Sequence, residues 1–130
     1  MNLAHTLSIN IDCPPAKVYE FVVNPENLPQ WAGGLCQSVS LSDAGWQVQT
    51  PQGAMQIRFA EKNAFGVLDH YVVPAPGVEI YVPMRVLPNG SGSTLVFTLM
   101  RQPEMSDADY ARDMQLVGQD LNMLKQLLEN

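Results

Sequence analysis

Asp69 and Tyr71 are the residues of this chain whose types and spacing best suit acid–base chemistry. They lie two positions apart, so a strand there places both side chains on one face of a sheet. A carboxyl group on an otherwise apolar wall has a raised pKa and can act as a general acid or base beside the phenol. In the opposite interpretation, Asp69 points outward and accepts hydrogen bonds from Arg58, Arg85 or backbone amides.

The other reactive side chains are not spaced for a metal ion or for nucleophilic catalysis. Cys13 and Cys36 form no CxxC pair, and His5 and His70 lie far apart in the sequence,. His70 is a candidate proton shuttle, but a surface pair with Tyr81 across neighbouring strands is the simpler interpretation. The sequence therefore predicts free thiols, no metal site and no cofactor.

The composition is typical of one acidic domain. The 130 residues include seven Lys and Arg against thirteen Asp and Glu, and the resulting net charge of −6 disfavours nucleic acid as a partner,. No run approaches the roughly 18 apolar residues of a membrane span, and polar residues interrupt the N-terminal segment,. We expect a single domain over residues 1–130 and a cytoplasmic location. The oligomeric state stays open, with a homodimer among the options.

The elements that must position these residues begin with a strand. Apolar and polar residues alternate between Leu3 and Ile11, the pattern of a strand with one buried face,. Pro14 and Pro15 open a short helix that should end near Asn24, and Asn24 caps a second short helix that reaches about Trp31. Turn residues then recur at short intervals and delimit six further strands.

A long amphipathic helix over Ser106–Glu129 ends the chain. Ser106 and Asp109 form an S-x-x-D start, and the polar side includes Asp120,. Gly118 interrupts the helix, either for close packing or for space for a ligand. The apolar face repeats at steps of three and four, through Tyr110, Met114, Val117, Leu121, Leu124 and Leu128,. We therefore predict an α+β fold, in which a curved seven-stranded antiparallel sheet is closed by this helix across its concave face.

The faces of the sheet are predicted by centring each hairpin on its turn. The inner, cavity face is mainly apolar and holds Val39, Leu41, Trp46, Val48, Met55, Ile57, Phe59, Val67, Asp69, Tyr71, Ile80, Val82, Met84, Val96, Thr98 and Met100. The outer face is mainly polar and holds Ser38, Ser40, Gln47, Gln49, Gln56, Arg58, His70, Glu79, Tyr81 and Arg85, with Leu95, Phe97 and Leu99 in the last strand. A single bulge would exchange the two sets.

Two parts of the sequence carry a family resemblance: Ile9 to Trp31, with the pattern I-x-I-x-C-P-P-A-K-V-Y-E-F-V-V-N-P-E-N-L-P-Q-W, and the long closing helix. They resemble the START-related helix-grip superfamily (SRPBCC), which includes polyketide cyclases and dehydrases, lipid-transfer domains and the birch pollen allergen group. Residues 65–72 and 83–86 are similar to an uncharacterised bacterial subgroup. The resemblance implies a helix-grip fold around a ligand cavity, and it carries over no catalytic residue.

We favour binding or transport of a small hydrophobic ligand in this cavity, such as a lipid, a fatty acid or an aromatic polyketide-like molecule. The alternative is an enzyme of the polyketide cyclase or dehydrase type, with Asp69 and Tyr71 as catalytic groups. A second alternative is a non-catalytic domain with a filled core that binds a partner through its apolar outer surface. The candidate ligand-binding residues are Trp31, Met55, Ile57, Phe59, Val82, Met84, Thr98, Met100, Met114, Val117, Gly118 and Leu121.

Overall fold

The computed structural model describes residues 1–34 and 36–130, which form eight strands and three α-helices. The strands are β1 Ala4–Ile11, β2 Ser38–Ser42, β3 Gly45–Thr50, β4 Gly53–Phe59, β5 His70–Ala75, β6 Val78–Val82, β7 Met84–Asn89 and β8 Gly92–Met100. The helices are α1 Pro15–Val23, α2 Leu28–Trp31 and α3 Asp107–Glu129, with a 3₁₀-helix at Pro25–Asn27. The predicted α+β class, the short helices after β1 and the long closing helix are confirmed.

The strands pair antiparallel and form two sheets. A three-stranded sheet has the order β1-β8-β7, and a five-stranded sheet has the order β2-β3-β4-β5-β6. The sequence predicts one strand in the region where the structure has two, β6 and β7. Pro83 separates these two strands. Proline has no N–H to donate to a ladder, and its carbonyl oxygen accepts from the Thr98 N–H at 2.9 Å,. The chain passes from one sheet to the other at this proline.

The short helices begin and end where the sequence predicts. Val18 and Val22 of α1 are fully buried and Tyr19 is nearly so, and this helix contributes these three residues to the core. The side-chain oxygen of Asn24 accepts from the Glu26 N–H at 3.1 Å and caps the 3₁₀-helix,. Leu28 and Trp31 are the buried residues of α2.

Helix α3 is attached to the three-stranded sheet near both of its ends. The Ser106 hydroxyl caps its first turn by accepting from the Asp109 N–H at 3.1 Å,. The Tyr110 hydroxyl then donates to the Leu99 carbonyl at 2.6 Å. Near the other end, Lys125 donates to the Asn10 carbonyl at 2.7 Å, and Glu129 accepts from the backbone N–H that follows β1. These contacts fix the helix across the sheet.

The predicted register is wrong for β8, because its turn is shorter than predicted. Asn89 pairs with Gly92, so Gly90 and Ser91 alone form the turn, with Gly90 at a φ of 59°. A two-residue turn changes the parity of the pairing relative to the predicted centre. Every side chain of β8 therefore faces the opposite way.

The predicted register is also wrong for β5. Phe59 pairs with His70, because residues 60–69 form a long connection that bridges to β7 at Val67 and Arg85. His70 consequently faces inward and Tyr71 outward. An irregularity between residues 72 and 75 then returns β6 to its predicted orientation,.

These shifts remove the apolar outer surface predicted for a partner or a dimer. Leu95 is fully buried, Phe97 is 9% exposed, and Leu99 packs against the core. The outer face of β8 carries the alternate residues instead, and the Thr98 hydroxyl hydrogen-bonds the Thr6 hydroxyl there at 2.7 Å. The predicted placement of Val96, Thr98 and Met100 on the cavity face is therefore wrong.

Gly66 holds the connection that leads to His70. Its φ is 71°, and its carbonyl accepts from the Val86 N–H at 3.0 Å. A Cβ atom at Gly66 would overlap the Val86 carbonyl oxygen, which is part of the backbone of β7 and cannot rotate away. Gly77 has a similar φ of 79° but nothing within 4 Å of an added Cβ, so it provides a matched control.

We expect Gly77→Ala to lower the free energy of unfolding by about 1–2 kcal/mol, the penalty for a left-handed backbone alone. Gly66→Ala should lower it by more than about 4 kcal/mol, because the overlap with backbone adds to that penalty. Urea-induced unfolding followed by tryptophan fluorescence measures both changes. Equal losses in the two variants would contradict the close contact between Gly66 and Val86.

Candidate functional site

A cavity of about 140 Å³ lies between the five-stranded sheet and α3. Its walls come from α2 and the segment after it, from the inner faces of β3, β4, β5 and β8, and from α3. The lining is mostly apolar and consists of Leu28, Trp31, Ala32, Cys36, Val48, Thr50, Gln52, Met55, Ile57, His70, Val72, Phe97, Val117, Asp120 and Leu121. Gln52 is exposed to solvent, so the cavity reaches the protein surface at the turn between β3 and β4.

Trp31 enters this cavity from the end of α2. The Asn27 side chain donates to the Phe21 carbonyl at 2.9 Å and fixes α2 against α1. Trp31 is 5% exposed, and its indole N–H has no hydrogen-bond partner within the described part of the chain. A buried donor left unpaired costs about 1–3 kcal/mol. The indole nitrogen exposes less than 1 Å² of its surface, so this donor is enclosed by protein and is not open to the cavity.

Asp120 is predicted on the polar side of the last helix, and the structure places it on the buried side. It is 8% exposed and lies one turn from Val117 and from Leu124, both of which are buried,. Burial raises the pKa of its carboxyl to about 6, and the nearby backbone N–H of Gly34 partly opposes that rise. Asp120 is therefore an acid–base group that titrates close to neutral pH.

His70 occupies the sheet side of the cavity and is 7% exposed. Its ring lies 4.9 Å from that of Phe59 and 6.2 Å from that of Phe97, measured between centroids. Burial lowers the pKa of His70, so the imidazole is neutral at pH 7. Its Nδ1 is 3.1 Å from the Leu68 carbonyl oxygen, which can only accept. Nδ1 therefore carries the proton, and Nε2 is left as an acceptor.

Thr50 and Cys36, two further polar residues of the lining, already have partners. The Thr50 hydroxyl donates to the Gly53 carbonyl at 2.9 Å and accepts from the Gln52 N–H at 3.1 Å. The Cys36 thiol donates to the Ser38 carbonyl at 3.4 Å, and burial raises the pKa of this thiol. These groups shape the wall without offering a free donor.

Five of the predicted ligand-binding residues lie in this lining: Trp31, Met55, Ile57, Val117 and Leu121. Val82 and Met84 are buried in the core, and Phe59 packs against the ring of His70. Gly118 faces Leu7, whose Cδ2 lies 3.8 Å from where a Cβ would be, an ordinary van der Waals contact, so close packing does not require a glycine there. Met114 lies outside the lining, as do the outward-facing Thr98 and Met100. Contact of the lining residues with a ligand stays a prediction.

Asp69 and Tyr71 lie outside the cavity, so their predicted placement on its wall is wrong. Asp69 accepts from the Tyr81 hydroxyl and from the Met84 N–H, both at 2.8 Å, and its Oδ2 is 3.8 Å from Nη2 of Arg85. Asp69 therefore points outward and accepts hydrogen bonds there, which is the alternative that the sequence left open for this residue. The Arg58 guanidinium lies 4.9 Å from the centre of the Tyr71 ring on the same outer face.

The sequence reasoning missed Asp120, Cys36 and Thr50, and it placed His70 on the wrong face. Asp120 follows Val117 by three positions and precedes Leu124 by four, a spacing that assigns it to the apolar stripe,. The helical spacing therefore predicts a buried Asp120, whereas its charged residue type predicts an exposed one. Neither Cys36 nor Thr50 carries a comparable signal.

Residues 1–34 and 36–130 contain neither a metal-binding cluster nor a membrane-spanning helix. No three His, Cys, Asp or Glu side chains lie close enough together there to hold a metal ion. None of the helices in this part of the chain is long and apolar enough to cross a membrane.

Solved structures match this architecture over nearly the whole chain. XoxI from Bacillus cereus has a TM-score of 0.76 at 19% identity, over 96% of this chain and 94% of its own. Ara h 8.0201 has a TM-score of 0.73 at 12% identity, over 98% of both chains. DynU16, a protein of the dynemicin biosynthetic locus, has a TM-score of 0.72 at 18% identity, over 98% of this chain and 47% of its own.

No family model and no curated protein sequence matches the chain, so the structural matches alone decide its fold. The chain has the helix-grip fold of these solved structures. In this helix-grip fold α3 is the closing helix, and the cavity lies beneath its middle turns. At these identities the likeness establishes the fold and leaves the ligand to be argued from the cavity itself.

Asp120 and His70 make the stability of this helix-grip fold depend on pH in opposite directions. Folded Asp120 keeps its proton up to about pH 6, whereas an unfolded aspartate loses it near pH 3.9,. The contribution of Asp120 to the free energy of unfolding therefore falls as the pH rises from about 4 to 6, and stays low above that. The lowered pKa of His70 means that the unfolded state binds the extra proton below about pH 6.5, so its contribution falls as the pH is lowered,.

We expect Asp120→Asn to raise the free energy of unfolding by about 2 kcal/mol at pH 7.5, because the charge is removed, and to change it little at pH 4. The Asn oxygen can still accept from the Gly34 N–H. Urea unfolding between pH 4 and pH 8 measures the difference, with Asp43→Asn in the exposed turn between β2 and β3 as the control. The same increment at both ends of the pH range would contradict a buried, titrating Asp120.

Proposed function

We propose that this protein binds a small hydrophobic molecule in the cavity beneath α3. The observation that carries the proposal is a largely apolar cavity of about 140 Å³ that has only a few polar residues in its lining, among them His70 and Asp120. Ligand sites combine such apolar walls with a few polar groups that orient the ligand. The helix-grip structures that match this chain support a fold with room for such a site.

The cavity volume favours a ligand built on one ring. An engineered protein cavity of about 150 Å³ takes up benzene, and ordinary ligand pockets of about 300–1,000 Å³ hold much larger molecules. At about 140 Å³ the present cavity matches the first case. A ring-sized aromatic molecule fits this space, whereas a fatty-acid chain or a fused-ring polyketide exceeds it.

The expected affinity follows from the apolar area of one ring. Burying roughly 200 Å² at about 25 cal/mol per Å² gives about 5 kcal/mol before the cost of immobilising the ligand. A dissociation constant of about 1 mM corresponds to about 4 kcal/mol. A single-ring probe should therefore bind in the millimolar range or somewhat tighter, which NMR titration measures directly.

We expect toluene to bind the cavity and Val72→Phe to abolish that binding, because Val72 faces the cavity and the added ring fills it. Val73→Phe on the same strand faces outward and is the matched control. Titration of ¹⁵N-labelled protein with toluene measures both, through amide shift changes at the lining residues. If toluene shifts no lining amide, or if Val72→Phe and Val73→Phe bind it equally, the proposal fails.

Acid–base catalysis in the same cavity is a second candidate, and the observation that favours it is Asp120. A carboxyl whose pKa lies near neutral pH suits a general acid or base, and removing one typically lowers a rate by about 10²–10⁴-fold,. The candidate reaction is enolisation, the first step of dehydration or aldol cyclisation. Asp120 takes here the role that the sequence predicted for Asp69.

We expect the wild-type protein to exchange the α-hydrogens of cyclohexanone for deuterium in D₂O faster than buffer alone, because Asp120 can remove and return the proton. Asp120→Asn should lower the protein-dependent rate at least about tenfold. Proton NMR at pH 6.5 follows the exchange, with Asp43→Asn as the control. An unchanged rate in Asp120→Asn would exclude this carboxyl as the base.

A further inference from the structure

His70 presents the cavity with a hydrogen-bond acceptor whose direction the structure fixes. Its Nδ1 is 3.1 Å from the Leu68 carbonyl oxygen, on the connection that precedes β5, so Nδ1 is the side of the ring that faces the backbone. The two nitrogens lie on opposite sides of an imidazole, so Nε2 points away from that backbone. Since the side chain belongs to the cavity lining, Nε2 is the end that reaches toward the cavity.

Nε2 of His70 is unpaired and open to the cavity. Within residues 1–34 and 36–130, the hydrogen bond of this ring is the one that Nδ1 makes. Among the buried and half-buried side chains of those residues, the Trp31 indole nitrogen is the only unpaired nitrogen or oxygen atom that exposes less than 1 Å². Nε2 is therefore not enclosed by protein. Because His70 faces inward, the surface that Nε2 exposes lies in the cavity.

In the described part of the chain, the side chains around His70 do not donate to Nε2. Phe59 and Phe97 flank the imidazole, with centroids 4.9 and 6.2 Å away, and neither has a polar hydrogen. The Thr50 hydroxyl and the Cys36 thiol donate to backbone carbonyls instead. A molecule that fills the cavity also displaces water from Nε2. Such a molecule binds best when it brings a hydrogen-bond donor of its own.

We propose that the cavity selects a neutral single-ring molecule that carries a hydrogen-bond donor, such as a phenol, and that this donor bonds Nε2 of His70. This inference rests on the proposed binding function and adds the chemical class of the ligand. The phenol hydroxyl donates to Nε2, while the ring lies against the apolar sheet wall that includes Val72 and Phe97. A carboxylate ligand has no hydrogen to donate, and it would bring a charge into the apolar space.

The ring nitrogens of His70 report this hydrogen bond directly. We expect long-range ¹H–¹⁵N NMR spectra of the wild-type protein at pH 7.5 to show a protonated Nδ1 and an unprotonated Nε2. Phenol should move the Nε2 resonance to lower frequency, the direction in which an accepted hydrogen bond shifts an imidazole nitrogen. Toluene has a methyl group in place of the hydroxyl, so it should occupy the cavity and leave this resonance nearly unchanged.

Substitutions of His70 separate its two nitrogens, and their readout is the ratio of the toluene to the phenol dissociation constant. In His70→Asn the amide nitrogen can still donate to the Leu68 carbonyl, but no acceptor remains at the position of Nε2. We expect this variant to lower the ratio at least about fivefold, because a buried hydroxyl loses its partner. His70→Gln places an amide oxygen near that position and should retain most of the ratio. His5→Asn, at an exposed position of β1, is the control and should keep the wild-type ratio.

The outcomes separate this inference from the proposed function. If neither toluene nor phenol shifts the lining amides, the binding function itself fails. If phenol shifts those amides but leaves the Nε2 resonance where toluene leaves it, the cavity binds rings and His70 does not select among them. A wild-type ratio in His70→Asn likewise overturns the assignment. Because the nitrogen spectra use the wild-type protein, they decide the question even if a variant fails to fold.

Discussion

The attachment of α3 at both of its ends is the constraint on which the cavity depends. Tyr110 ties the start of the helix to β8, while Lys125 and Glu129 tie its end to β1. All of these contacts are with the three-stranded sheet. The middle of the helix therefore crosses the five-stranded sheet without packing tightly against it. Side chains on the two walls then meet without filling the space, and about 140 Å³ stays open beneath Val117 and Leu121,.

The connection between β4 and β5 determines which side chains this space receives. Leu68 is fully buried, Asp69 faces outward and His70 faces inward, so the chain alternates sides over three residues. Asp69 holds this alternation by accepting from the Met84 N–H and the Tyr81 hydroxyl, and Gly66 allows the close approach to β7. The Asp69 carboxyl, which the sequence suggested as a catalyst, therefore has a structural role. Its hydrogen bonds hold the backbone in the conformation that turns the His70 imidazole inward.

Local signals in the sequence predict the elements well, and non-local pairing explains the errors. Proline positions, the Asn24 cap and the helical periodicity act within a few residues, which is why both ends of α1 and the start of α3 agree with the structure,. Which face the side chains of a strand occupy depends on whether the turn before it has an odd or an even number of residues. A difference of one residue in the turn at Gly90 moves every side chain of β8 to the opposite face,. The error at Asp120 has another cause. Its charged residue type favours the polar side of the helix, whereas its helical spacing favours the buried side, where carboxyl groups with shifted pKa values are candidates for functional sites.

Two buried polar groups, the Trp31 indole N–H and the Asp120 carboxyl, both disfavour the folded state. An unpaired indole N–H costs about 1–3 kcal/mol, and a carboxylate with a pKa near 6 costs about 2 kcal/mol at neutral pH,. Together they are a substantial part of the roughly 5–15 kcal/mol that stabilises a domain, and apolar side chains at Trp31 and Asp120 would avoid both. The binding free energy of a molecule that occupies the cavity adds to the free energy of unfolding by mass action, so occupancy of the cavity offsets part of these costs.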